Sequence, residues 1–353
     1  MARASTPSWL RRVGEALQCD PPSWWRRTLP WASLASGLAG ALFMERAPSK
    51  AIPVLGAGLG ALVALGLFLE FTRAPLPVVQ GQPTSWRARI LHLTALFGSQ
   101  SLLQLGLFFV LPWYVAASAF TPAQVGFLAL VTVVVGVSLW DPWYESVARW
   151  PARGLSLHAV ALFITYNALL PVLGIAQGSS LLLAAAVASG GTGVAAALRS
   201  RHDRSAHKPA RHALRAALVP SLLPALLALG VPQAVPPAPL RLVEGGIGTA
   251  LEERELAEPL TMVHGVPEQL VCWTSISAPR GLRDRLFHVW RHDGITTDRV
   301  ELTLVGGREA GFRTWTTKRH FGPAPQGTWS CAVETAQGQV LGVHVVTVAN
   351  RAP

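Results

Sequence analysis

The sequence predicts an α-helical transmembrane bundle of about seven spans, followed by a C-terminal all-β, immunoglobulin-like sandwich. Three observations carry this. Half of the 353 residues are hydrophobic and 14% are charged, against roughly a quarter charged in an ordinary soluble domain. The charges divide unevenly: up to Leu240 there are 18 Lys and Arg but 7 Asp and Glu, and beyond it 12 of each. Near the same point the hydrophobic pattern changes from long apolar runs to short alternating segments.

A span needs about 20 mostly apolar residues. Seven segments come close: Leu29 to Met44, Ala51 to Leu69, Ile90 to Ser118, Pro122 to Leu139, Leu155 to Ile175, Ser180 to Leu198 and Leu214 to Val231. The first is short and the seventh carries Pro220 and Pro224. Lys and Arg are retained in short cytoplasmic loops far more often than they are translocated. With the N-terminus in the cytoplasm, 16 of the 18 cations fall in loops on that side, and Arg46 and Lys50 fall outside. A missing span would invert every later loop. Tryptophan agrees, because its amphipathic ring prefers the headgroup zone: Trp24, Trp25, Trp31, Trp86, Trp113, Trp140, Trp143 and Trp150 lie near or just beyond span ends.

The expected organisation is therefore a basic cytoplasmic segment at 1–28, a polytopic bundle at 29–231, a Pro-rich linker at 232–246 and a β domain at 247–350. The bundle lies in a bacterial inner membrane and the β domain in the periplasm. No cleavable secretory signal is evident. Ser8 to Gln18 reads either as an amphipathic helix on the cytoplasmic leaflet or as a tail without fixed structure. Cations clustered between apolar runs are a topology pattern, so no nucleic-acid partner is expected; the bilayer itself is the first partner.

In the β region, strands are expected at Leu270 to Ser277, Leu286 to Arg291, Ile295 to Val305, Phe312 to Thr317, Thr328 to Glu334 and Val340 to Val348. A seventh falls near Ile247 to Leu251. Asp293-Gly294 reads as a type I′ hairpin turn, and Gln337-Gly338 as a weaker hairpin signal. Short strands of this number and spacing argue for a sandwich.

Ionisable side chains in a bilayer mark transport paths, and the spans hold few. Glu70 and Asp141 are expected at span ends within reach of water, with His92 and His158 near span starts. The central polar residues are neutral: Gln100 and Gln104 share one face of the third span and Asn167 lies in the fifth. They read as interhelical hydrogen-bonding groups, or as a neutral polar path. Gly56 with Gly60, and Ala185, Ser189, Gly193 and Ala197, read as close-packing stripes. Gly190 to Gly193 lacks the Lys and preceding strand of a phosphate loop.

In the β region, Cys272 and Cys331 can bridge the two sheets or remain buried thiols, while Cys19 stays reduced on the cytoplasmic side. His288, Trp290 and His292 share one strand face but do not suffice for a metal site. No metal, cofactor or catalytic constellation is expected. Arg313, Trp315, Lys318 and Arg319 interleave cationic and aromatic groups, the composition of a surface that stacks on a sugar ring or partner chain; alternatively Trp315 and Trp329 are core residues.

The order Leu286-Phe287-His288-Val289-Trp290, Asp293-Gly294, Gly311 to Lys318, Gly327-Thr328-Trp329 and Gly338 to Val348 resembles the bacterial domain of unknown function 2914 family. Its members tend to occur at the C-termini of membrane or envelope proteins. The resemblance implies the β fold and brings no catalytic residue. The expected function is a membrane-anchored, non-enzymatic periplasmic module for an envelope protein or glycan, its bundle serving as anchor and homo-oligomerisation platform. The alternative is a transporter or membrane enzyme with a neutral polar path through spans three and five.

Overall fold

The computed structural model describes residues 52–72, 86–202, 218–308 and 310–350, with positions 28, 31, 35, 38–40 and 42. Cys19, the basic N-terminal segment to residue 27, most of the first expected span and the cation-bearing loops 73–85 and 203–217 lie outside the described residues.

The helices are α1 (Ile52–Thr72), α2 (Trp86–Ala117), α3 (Pro122–Leu139), α4 (Asp141–Ala148), α5 (Pro151–Leu169) and α6 (Gln177–His202). A further helix, Leu218–Gly230, ends in a π turn over Leu226–Gly230. Proline opens α3 and α5, where its missing N–H costs nothing. The Thr121 hydroxyl accepts from the Gln124 N–H to cap α3. Past α5 the chain tightens into a 3₁₀ turn, Leu170–Leu173, which Gly174 stops at φ 85°.

Among the described residues, four helices are long and apolar enough to cross a membrane, over Thr94–Ala117, Pro122–Leu139, Ala152–Leu173 and Gln177–Ala197. Val54–Glu70 and Leu218–Gly230 are apolar but shorter. The amphipathic α4 was not anticipated; it begins where Asp141-Pro142 restarts the helix after the extended Trp140.

One core runs through the bundle, with Leu107, Val110, Tyr114, Val131, Phe163, Ile164 and Leu181 all buried. Large apolar side chains point outward instead: Val54, Phe68, Val133, Val194, Leu222 and Leu229 are each more than half exposed. The expected small-residue packing recurs with one change. Gly60 lets α1 approach α5, and the Tyr166 hydroxyl donates to its carbonyl at 2.9 Å. On α6 the buried stripe runs through Leu181, Ala184, Ala188, Thr192 and Ala195, one position round the helix from the expected one. Of the expected stripe Ala185 alone is buried, because α5 packs beside the neighbouring face.

The β region contains β1 (Arg241–Gly248), β2 (Leu251–Glu252), β3 (Glu255–Leu256), β4 (Met262–His264), β5 (Leu270–Ser277), β6 (Arg283–His292), β7 (Ile295–Val305), β8 (Phe312–Lys318), β9 (Gly327–Thr335) and β10 (Val340–Ala349). One sheet has the order β1-β5-β8 and a second β4-β10-β9-β6-β7; β2 and β3 form a separate hairpin. The two larger sheets share a core in which Ile247, Leu270 and Cys272 meet Trp290, Trp329, Cys331, Val346 and Val348. β5 and β7 have the expected limits. Asp293 and Gly294 both take positive φ, 47° and 82°, as a type I′ turn requires.

The expected linker is corrected. β1 begins at Arg241, within the range assigned to it, because Arg241 to Gly248 pair with β5. The prolines before it do not form a free spacer either. Val235, Ala238 and Leu240 are fully buried, and the Gln339 amide donates to the Val235 carbonyl at 2.9 Å.

That contact belongs to a polar junction between β domain and bundle. Gln124 at the start of α3 donates to the Val340 carbonyl at 2.7 Å. The Asp284 carboxylate accepts from the backbone N–H of Gln177, the first residue of α6, at 2.7 Å, where a negative charge suits the helix dipole. Gly178 packs under the Gln337 side chain, and Gly174 faces the Gly281 carbonyl. The β domain therefore rests on one end of the bundle, where α5 ends and α3 and α6 begin.

Candidate functional site

The β2–β3 hairpin lies against the sheet that ends in β8. Its turn residues Glu253 and Arg254 take left-handed φ of 49° and 69°, and the Trp273 indole N–H donates to the Arg254 carbonyl at 2.9 Å. This anchor holds the hairpin tip beside β8 and the loop entering it. Between them is a cleft of about 370 Å³ lined by Glu253, Arg254, Arg308, Ala310, Gly311, Arg313 and Trp315.

Two of the cationic side chains, Arg313 and Arg308, are held differently. Arg313 pairs with Glu255 of β3 at 2.7 Å. Arg308 lies 5.6 Å from the Phe312 ring centre, in cation–π range. Trp315 is 41% exposed and lines the cleft. Gly311, at φ 77°, leaves no room for a side chain against Ser275, whose hydroxyl donates to the Ala310 carbonyl at 2.9 Å. Among the described lining residues three guanidiniums outnumber the one carboxylate of Glu253, Glu255 offsets Arg313 from beside the cleft, and the indole adds an apolar platform.

Of the four residues singled out in the sequence, the structure brings Arg313 and Trp315 together. Alternation on β8 turns Lys318 to the opposite face. There it pairs with Asp298 and holds that carboxylate below its ordinary range, chiefly through the hydrogen bond. Arg319 is directed to the Gln269 side chain at 3.4 Å. Trp315 and Trp329 separate likewise: Trp329 is 1% exposed in the core, while Trp315 is not. Sequence reading missed Glu253, Arg254 and Arg308. The charged tip flanked by Leu251 and Leu256 was a usable hairpin signal, but its position beside β8 is a long-range property.

Cys272 of β5 and Cys331 of β9 are joined between the two sheets, with Cα atoms 6.3 Å apart. His288 is fully buried beside them. Its ring nitrogens bond the Thr274 and Thr316 hydroxyls at 2.9 Å each, and the Trp290 indole donates to Thr316 as well. Burial, with the neighbouring His344, pushes the imidazole down to about 4. Cys272, His288 and Cys331 have the proximity of a metal-binding triad, but bonded sulfurs offer no thiolate and both ring nitrogens are engaged, so the donor set does not fit an ion. His292 stacks on Trp329 with ring centres 4.4 Å apart.

In the bundle, Gln100 and Gln104 converge on one acceptor, the Ser138 carbonyl at the end of α3. Gln100 also donates to Asp141 at 3.0 Å. Asn167 belongs to another cluster: its amide donates to the Tyr114 hydroxyl at 2.9 Å, which donates in turn to the Ile164 carbonyl at 2.8 Å. The expectation that water reaches Glu70 is corrected. Its side chain is fully buried, with Ser99 at 3.5 Å and Gly154 closely opposed, because α1 packs inward at its last turn. His158 is buried too.

The model of a family of unknown function, DUF5924, matches residues 11–269. The chain belongs to this family. A second family of unknown function, DUF2914, matches residues 283–348, the region of the resemblance seen in the sequence. No curated protein matches. In this DUF5924 chain the boundary crosses the β domain: β1 to β4 fall in the first matched region, β6 to β10 in the second and β5 between them. The cleft is built across that seam, with Glu253 and Arg254 from the first region and Arg308 to Trp315 from the second.

Proposed function

We propose that this protein is a membrane-anchored, non-enzymatic binding module of the bacterial inner membrane. About seven spans seat it, and an immunoglobulin-like sandwich presents the arginine–tryptophan cleft on the periplasmic side to a ligand of the cell envelope. The observation that carries this reading is the junction: a domain bearing a preformed cationic cleft is fastened by several hydrogen bonds to one end of an apolar bundle. Outward-facing Val, Leu and Phe on the helices suit contact with lipid. At the bundle end away from the β domain, Trp140, Trp143 and Trp150 are each more than half exposed, and Arg153 lies 5.6 Å from the Trp150 ring centre. Aromatic side chains beside arginines suit a cytoplasmic interface, which supports a far-side position for the cleft. The alternative polar path has less support, since Gln100 and Gln104 are committed to Ser138 and Asn167 to Tyr114.

A photoreactive residue at position 315 of the full-length protein, illuminated in native membranes, tests this. Adducts should form at 315, fall when Arg308 and Arg313 are changed to Gln, and differ from those formed at Ile295, an exposed position at the other end of β7. Identical adducts from both positions, or none that depend on the arginines, would count against the cleft as the binding site.

A further inference from the structure

The position of the cleft narrows its ligand. Gly306 and Gly307, just before Arg308, pack against Pro279 and Arg280, and the next residue of that turn, Gly281, faces Gly174 at the end of α5. The cationic lining thus begins two contacts from the end of the bundle. At that same end Phe120, Leu173, Leu226 and Leu229 are 61%, 40%, 55% and 73% exposed. Apolar side chains this exposed mark the rim of the surface offered to lipid, so the arginines stand where that surface gives way to water.

We infer that the cleft binds the net anionic head group, a phosphate joined to a polyol or sugar, of a lipid in the adjacent leaflet. This rests on the reading of the cleft as the domain's binding site. Guanidinium N–H pairs match phosphate oxygens in a paired geometry that an ammonium cannot supply, and Arg254, Arg308 and Arg313 surround one space. Trp315 gives a flat face for the polyol or sugar next to the phosphate, and Glu253 offers an acceptor for its hydroxyls. Arg313 exchanges Glu255 for the phosphate and keeps a charged partner. A volume of about 370 Å³ is at the lower end of small-molecule sites, suited to a head group.

The test uses the full-length protein in nanodiscs of phosphatidylcholine with increasing phosphatidylglycerol. The emission of Trp315 is isolated as the difference between wild type and Trp315→Phe. It should shift as phosphatidylglycerol rises, and Arg308→Gln with Arg313→Gln should weaken the response roughly tenfold or more, as loss of charge-assisted hydrogen bonds demands. Soluble glycerol phosphate added to phosphatidylcholine nanodiscs should act only at much higher concentration. A wild-type Trp315 signal indifferent to phosphatidylglycerol would overturn the proposal whatever the variant does. So would glycerol phosphate acting as strongly as the lipid, which removes the leaflet as the source. Arginine-dependent adducts at 315 without a lipid response would defeat this inference alone and leave the binding-module reading intact.

Discussion

Replacing Cys331 with serine should lower the stability of the β domain by about 4 kcal/mol, the chain-entropy value for a cross-link of this span. The bond ties β5 to β9 across 59 residues of sequence, and those strands lie in different sheets. Without it the sheets are held together there by side-chain packing and by the hydrogen bonds of His288 and Trp290 to Thr274 and Thr316, and the buried serine hydroxyl lacks the partner its burial requires. Denaturant melting of the full-length protein in detergent, followed by near-ultraviolet circular dichroism, reads the change. Unchanged melting together with unchanged non-reducing gel mobility would show that the two sulfurs are not joined in the protein.

Acid should destabilise the same core. The His288 imidazole, with an ordinary value of 6.5, is pushed down to about 4 by burial, so between those values the unfolded chain binds a proton that the folded chain refuses. Stability is therefore full above about pH 6.5 and declines as the pH falls toward 4. At about 1.4 kcal/mol for each pKa unit the loss reaches about 3 kcal/mol. His344, held below its ordinary value by burial, acts in the same direction. Asp298 does not confuse the result. Its carboxylate is held below 3.8, so its contribution is lost only at lower pH. Denaturant midpoints measured from pH 7 to pH 4 should fall, and His288→Leu should flatten the fall even though it removes two hydrogen bonds. A flat wild-type profile would mean that the ring is not sealed from water as its contacts indicate.

Most of the β strands were legible because alternation and turn chemistry are local. Asp293-Gly294 has few conformations other than the turn it adopts, and β5 and β7 follow from Leu270 to Ser277 and Ile295 to Val305. β2, β3 and β4 are two or three residues long and leave no period to detect. Helix positions were legible from apolar length, but helix rotation was not. The α6 stripe is set by its contact with α5, and when every face of a helix is apolar the sequence pattern barely distinguishes neighbour from surroundings. Glu70 was misjudged for the same reason, since nearness to a span end does not reveal which face packs inward.

Half of the candidate site was readable. Alternation along β8 separates Arg313 and Trp315 from Lys318, so the pair on one face follows from strand period alone. Arg254 and Arg308 join that pair through a hairpin anchored by the Trp273 indole and a loop packed on Arg280, contacts between residues well separated in sequence. The junction was also unreadable: Gln124, Gln177, Asp284 and Gln339 are ordinary polar residues until the fold brings them together.

The side of the membrane on which the β domain lies is measured most directly by adding protease to sealed inverted vesicles that carry the full-length protein. A domain facing the vesicle lumen, as the proposed topology predicts, should survive as an intact fragment recognised by an antibody to the C-terminal region, and detergent should then expose it. Digestion without detergent would put the domain in the cytoplasm and contradict the span arrangement on which the proposed function rests.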